Sequence, residues 1–359
     1  SEEHLNALNY NKNLFFKYDY NWNNNNYFTL GYEQNTNKYS SFNIYSFLGD
    51  INQNGECDGP FDCLAESVFG GIDKSKVYVQ NAVFIGGDLS LGNNFISISS
   101  RHVSSKNYGS DLVGSFAFMR QKNQINYRFN YSKGFRTPTI KELFYDFQSH
   151  PPPIVGNLDL KSTTNDYYSF SIDKRTRLRS ACFEVYFNDV KDMIGTNYID
   201  SDNDGEEDIL KYNNYSSVKI YGLNLNFEYN DDIREIKFIY NFTNPKSRDK
   251  NALELISKHT SRIRLSRRVN EKVNLLLNTK FTGKKFIYIE NDKINLERHS
   301  ITDLTISYKI DKHLIVNAGI KNLFDYIDKR RLIDDNSLNN ILSTYDPGQR
   351  FFIDLKFNF

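Results

Sequence analysis

No stretch of this chain holds about 18 consecutive apolar residues, so none reads as a membrane-crossing helix. A charge bias is missing as well. The 45 Lys and Arg against 44 Asp and Glu leave a net charge of +1, which gives no pull toward nucleic acid or acidic partners. The basic run Arg262-Ile263-Arg264-Leu265-Ser266-Arg267-Arg268 tempts such a reading. Its arginines at 262, 264 and 268 alternate with other residues, as on a solvated strand face. Catalytic signatures are lacking too. Gly70-Gly71 and Gly86-Gly87 precede no helix, and there is no Ser-His-Asp context, zinc spacing or catalytic carboxylate pair. No enzyme is indicated. Ser1 opens the chain without a signal-peptide pattern, which fits processing, truncation or a start inside a longer protein.

Aromatic residues are abundant. Phe (28) and Tyr (25) dominate the 15% aromatic content, although only 39% of the chain is hydrophobic and mean hydropathy is −0.61. They are also placed periodically. Phe351, Ile353, Leu355, Phe357 and Phe359 fall on one face of a strand, with Asp354, Lys356 and Asn358 on the other. The same alternation runs through Ile125–Tyr131, Phe183–Phe187, Leu223–Tyr229, Ile236–Phe242, Val273–Phe281 and Leu304–Ile310. A small sandwich would fill its inside with hydrocarbon, whereas here the second face is amide-bearing or charged. Lipid outside and water inside account for both faces. The expectation is an all-β, transmembrane, antiparallel up-and-down β-barrel integral to a bacterial outer membrane.

The periodicity predicts about sixteen strands, with centres from Phe16, Leu30 and Asn43 through to Leu355. Connections come in two lengths. Short ones are read at 35–38, 89–93, 121–123, 175–179, 230–232, 269–271 and 311–312, and long ones at 50–74, 133–165, 198–214, 245–257, 290–298 and 325–348. From Leu30 onward they alternate, apart from a brief link at 106–110. Such barrels have short periplasmic turns and long extracellular loops.

Two loops carry chemistry-bearing residues. Cys57 and Cys63, six positions apart in a stretch rich in Asn, Gly, Asp and Pro, could close a small disulfide loop in an exported protein. Cys182 reads as an unpaired thiol. The run from Asp200 to Asp208 places Asp200, Asp202 and Asp204 at alternate positions before Gly205, with Asp208 beyond, a pattern able to wrap Ca²⁺ in an extracellular loop. Lys211 stands where an EF-hand needs Glu, and strands flank the run, so an EF-hand is excluded. A calcium-stabilised loop and a hydrated acidic loop both fit.

The segment from Asn130 through Gly134, Phe135, Arg136, Thr137 and Pro138 to Phe144 resembles the FRAP-type box of TonB-dependent outer-membrane receptors. Gly156-Asn157-Leu158-Asp159-Leu160-Lys161 resembles their G-N-P-D-L-K box, departing at Leu158 and at Ser162-Thr163. Further matches follow in family order at Phe187–Ile194, Ile220–Asn224, Gly319–Asp325 and Asp346–Arg350. The resemblance spans roughly residues 76 to 359.

That resemblance implies a high-affinity nutrient receptor and transporter of the iron-siderophore, haem or cobalamin class. It implies a barrel of about 22 strands around an N-terminal plug, of which residues 1–359 would be the C-terminal part of the barrel without plug or TonB box. The TonB energy-transducing complex, acting through the missing N-terminal part, a small-molecule nutrient and outer-membrane lipid would be its partners, with no nucleic acid among them. No cofactor is required, and haem enters only as transported ligand. Pro138 is expected to open a helical turn over 139–147, with Arg136, Tyr145, Gln148 and His150 facing the ligand. In haem receptors of the family a histidine in this interval ligates iron; an exposed loop histidine is the plainer reading of His150. A passive 16-stranded porin and a surface adhesion or enzyme barrel stay open as alternatives.

Overall fold

The computed structural model describes residues 7–23, 26–41, 75–105, 109–147, 152–201, 205, 208–248, 253, 255–289, 292–327 and 348–357. In chain order the elements are β1 (Ala7–Asn23), β2 (Asn26–Ser41), β3 (Ser75–Leu91), β4 (Asn94–Ser105), β5 (Gly109–Lys122), β6 (Ile125–Arg136), α1 (Ile140–Phe144), β7 (Asp146–Phe147) and β8 (Ile154–Val155). There follow β9 (Thr163–Arg175), β10 (Arg179–Ile199), β11 (Ile209–Asn230), β12 (Arg234–Ser247), β13 (His259–Arg268), β14 (Val273–Thr282), β15 (Lys285–Ile289), β16 (Asp292–Leu296), β17 (His299–Lys309), β18 (Leu314–Lys321) and β19 (Arg350–Phe357).

Setting aside the short β7, β8, β15 and β16, fifteen of the nineteen strands form one antiparallel meander. Each pairs with its predecessor, from β1–β2 through β6–β9 and β14–β17 to β18–β19. This is the up-and-down wall of a β-barrel. Among the described residues no ladder joins β1 to β19. Fifteen of the expected strand centres lie on these strands; the sixteenth, at Asn43, lies outside the described residues.

The meander has a turn end and a loop end. Links 24–25, 92–93, 123–124, 176–178, 231–233, 269–272 and 310–313 fall at one end, and every long link falls at the other. The tightest turns have suitable chemistry. Asn123 and Gln124 both take positive φ, 52° and 63°, as a two-residue hairpin turn twisted with its strands requires. Asp231 caps its own turn, accepting hydrogen bonds from the Ile233 and Arg234 amides at 2.9 and 2.6 Å. The Tyr229 hydroxyl, the Ile233 amide and the Arg234 guanidinium together hold the Asp231 carboxyl well below its usual range. One expected turn is absent. β2 runs unbroken through Asn35–Lys38, registered with β1 on one side and β3 on the other, and the chain passes from β1 to β2 earlier, between Asn23 and Asn26.

The two faces differ as lipid and water demand. Exposed on the outer face are Phe129, Phe170, Val185, Leu225, Phe227, Ile263 and Ile306. At one level toward the loop end, Tyr131, Tyr168, Phe187 and Tyr221 form a continuous aromatic band with ring centroids 4.9, 6.3 and 4.9 Å apart. Tyr229, flanked by the Arg179 and Arg234 guanidinium groups at 5.8 and 5.5 Å, marks the turn-end level. From Tyr221 to Tyr229 the strand runs about 26 Å at roughly 3.3 Å per residue, a height of about 20 Å at the roughly 40° tilt of such strands. That height is of the order of the ~25 Å apolar belt of outer-membrane barrels.

The inner face is a polar lattice. Tyr167 donates to Glu184 at 3.0 Å, Asn165 to Asn188 at 3.1 Å, and Arg128 pairs with Asp173. Among the described residues there is almost no hydrocarbon core: Ala82, Val103, Ile140, Leu143, Leu160, Tyr215 and Val218 are the buried hydrophobic side chains. Nothing like a soluble core of this chain length could be built from so few.

Candidate functional site

The loop between β6 and β9 carries both sequence boxes, and it is folded rather than freely projecting. Thr139 is the N-cap of α1. Its hydroxyl accepts from the Glu142 amide at 3.2 Å, while Glu142 reaches back to the Thr139 amide at 2.7 Å, a reciprocal capping box. The helix stops at Phe144 rather than reaching 147. Tyr145 is already extended (φ −70°, ψ 135°), and Asp146–Phe147 leave as β7 to pair with β8. β8 in turn lies parallel to β11, Ile154 opposite Leu210 and Val155 opposite Lys211.

The second box closes this clamp. The Gly156 amide donates to the Tyr145 carbonyl at 2.6 Å and the Asn157 amide to the Glu142 carbonyl at 2.9 Å. The Asn157 side chain donates to the Tyr212 carbonyl at 3.0 Å. Asn214 accepts from the Lys161 amide and donates to the carbonyls of Lys161 and Asp192, at 2.8, 3.0 and 2.8 Å. Gly156 is required by proximity: a Cβ there would lie 2.6 Å from the Leu143 carbonyl carbon and oxygen. Leu143 is 1% exposed, and Pro138, Ile140, Leu160 and Val218 are buried too. The boxes therefore spell a scaffold.

Of the four expected ligand contacts, Arg136 and Tyr145 fall within the described residues. Arg136 is half-exposed and already engaged by both Glu142 carboxylate oxygens at 3.0 and 2.9 Å. Tyr145 caps α1 and packs on Phe147 at 5.8 Å. Gln148 and His150 lie outside the described residues, as do Cys57, Cys63, Asp202 and Asp204. Asp200 and Asp208 are placed, and the loop itself supplies donors to both. The Gly205 amide donates to Asp200 at 2.9 Å, and the Ser201 hydroxyl and amide donate to Asp208 at 2.6 and 2.9 Å. Those Ser201 bonds hold the Asp208 carboxyl below its ordinary range. Among the described residues no three His, Cys, Asp or Glu side chains converge to hold a metal.

Sequence reasoning passed over a charged cavity in the inner wall. About 630 Å³ is lined by Glu235, Lys237, Arg262, Arg264, Asp303 and Lys321 among others. Glu235 pairs with Lys237 at 2.8 Å and with Arg264 at 3.5 Å, and Lys321 with Asp303 at 3.7 Å. Arg262 stands directly opposite Lys280, and neither has an ion pair among the described residues. Two like charges in register repel. The lumen thus holds cationic capacity that its own carboxylates leave unused. Alternate Arg262, Arg264 and Lys280 were the readable signal.

The sequence matches the profile of the TonB-dependent receptor-like β-barrel family over residues 3–323. The chain belongs to this family. Solved structures agree with this receptor-like barrel on the fold. The siderophore receptor PirA from Acinetobacter baumannii superposes with a TM-score of 0.72 at 17% identity, covering 98% of this chain and 55% of that one. A variant of the ferric enterobactin receptor PfeA from Pseudomonas aeruginosa, in complex with enterobactin, gives 0.74 at 18% identity, covering 98% and 55%. The FrpB iron transporter from Neisseria meningitidis gives 0.66 at 13%, covering 89% and 51%. The receptor-like barrel described here spans about half the length of these relatives. No curated protein sequence matches it significantly.

Proposed function

We propose that this chain forms most of the barrel wall of an outer-membrane receptor that captures a ferric siderophore and passes it inward through a plugged lumen. The turn end would face the periplasm, the loop end the medium, and energy would come from the TonB complex through a plug outside this chain. The observation that carries the reading is the family match over residues 3–323, joined to a charged cavity in the inner wall. Ferric siderophore complexes are polar and often anionic. The unused cations Arg262 and Lys280 suit such a cargo, whereas nothing in the wall requires bond-making chemistry.

The test is binding by the intact receptor. Titration with ferric catecholate, ferric hydroxamate, haem and cobalamin, followed by intrinsic fluorescence, is expected to give saturable binding for one ferric siderophore class. Saturable haem binding accompanied by a Soret shift that His150→Ala abolishes would replace siderophore with haem. Failure of every ligand to bind, together with solute flux through reconstituted vesicles, would point to a porin.

A further inference from the structure

On the outer face, immediately beyond the loop-end aromatic band, three lysines gather. Lys246 Nζ lies 5.5 Å from the centroid of the Tyr221 ring, which fixes it on the outer face beside the band. Lys219, two residues beyond Tyr221 on the same strand face, stands directly opposite Lys246. Lys191 lies opposite Ser217 and so diagonal to Lys219, within reach of a long side chain. All three are exposed, and none makes an ion pair among the described residues. Two acids are registered on this face at that level: Asp189, opposite Lys219, whose carboxylate accepts from Ser217 Oγ at 3.4 Å, and Asp166, opposite Asp189, which accepts from the Tyr131 hydroxyl at 2.9 Å. The patch keeps a surplus of positive charge.

Like charges directly opposite in a ladder weaken it, and an anion lying between Lys219 and Lys246 relieves that repulsion. The turn end shows the contrast, for there Arg234 is neutralised by Asp231 at 2.8 Å. We propose that Lys191, Lys219 and Lys246 bind the phosphorylated headgroup of a lipid in the loop-end leaflet. Depth selects a lipid. The patch begins only about 7 Å along the strand from Tyr221, at headgroup level above an aromatic girdle. There lysine stems lie along apolar surface while their ammonium groups meet phosphate. An acyl chain would continue down the outer face beside Tyr221, Leu223 and Leu225. This site is independent of the cargo.

The purified protein in neutral detergent is titrated with diphosphorylated lipid A, its dephosphorylated form and inorganic phosphate, and complexes are counted by native mass spectrometry. The double variant Lys219→Gln, Lys246→Gln is expected to bind the phosphorylated lipid about thirtyfold more weakly, the effect of removing two interfacial cations. Lys219→Arg with Lys246→Arg is expected to retain binding, and circular dichroism of both variants to match the parent. Equal binding by the Gln variant, or equal binding of the dephosphorylated lipid, overturns the proposal. So does displacement by inorganic phosphate at the lipid's own concentration, which would mark a free-anion site.

Discussion

Leu225→Arg is expected to destabilise the barrel by roughly 2–4 kcal/mol, the cost of a cation on the lipid face near the bilayer midplane. Leu225 lies halfway along β11 between Tyr221 and Tyr229, and its side chain is exposed on the outer face. The same substitution one residue on, Asn226→Arg, places the cation on the water-filled face, where Asn226 stands opposite Cys182 and Ile239. That variant is expected to unfold within about 0.5 kcal/mol of the parent, as surface substitutions ordinarily do. Urea unfolding in lipid vesicles, read by the mobility shift between folded and unfolded barrel, measures both. Equal effects of the two variants would mean that the faces do not meet different solvents.

The second large effect concerns the clamp. Leu143→Ala empties a fully buried position and is expected to cost the β6–β9 loop roughly 2–5 kcal/mol of local stability. Gly156→Ala acts by collision, because its Cβ would press on the Leu143 carbonyl, which is backbone and cannot rotate away. An overpacked buried site of this kind costs about 1–3 kcal/mol. Both variants are expected to become cleavable within residues 137–162 while the wall stays intact, since its ladders do not depend on the loop. Limited proteolysis with mass mapping of the fragments reads this directly. A loop as protected as the parent's would show that the boxes serve some purpose other than anchorage.

The wall was legible because its physics is local. A period of two, with lipid on one side and water on the other, is written residue by residue, as in Leu223–Tyr229. The misplaced turn has an equally local cause. Asn35-Thr36-Asn37-Lys38 has turn composition, as does Asn23–Asn26, but the chain passes from β1 to β2 at the second. β2 extends past the apolar belt, where both faces are wet, and there a polar run stays in strand because β1 and β3 both hold it. The helix of the loop was expected to be too long for a different reason. Tyr145 leaves the helical conformation because Gly156 takes its carbonyl and β8 takes the strand that follows.

The clamp's anchors could not be read at all. Asn157 meets Tyr212 across 55 positions and Asn214 meets Lys161 across 53, so no window of sequence contains either pair. What could be seen was the capping box, Thr139 followed three residues later by Glu142, and that same Glu142 then engages Arg136. The sequence therefore pointed to the right segment without its anchoring: Arg136 and Tyr145 are structural neighbours of the anchor, each engaged by the loop's own residues.

Solvent contrast along a single strand tests the central claim most directly. Nitroxide labels at successive positions from Tyr221 to Glu228 in reconstituted bilayers would report collision with oxygen, which concentrates in lipid, and with a water-soluble nickel chelate. Labels at 221, 223, 225 and 227 are predicted to favour oxygen and those at 222, 224, 226 and 228 the chelate, with the sign reversing at every step. A profile without that reversal, or one in which both faces shun the chelate, would contradict a barrel wall with lipid outside and water within.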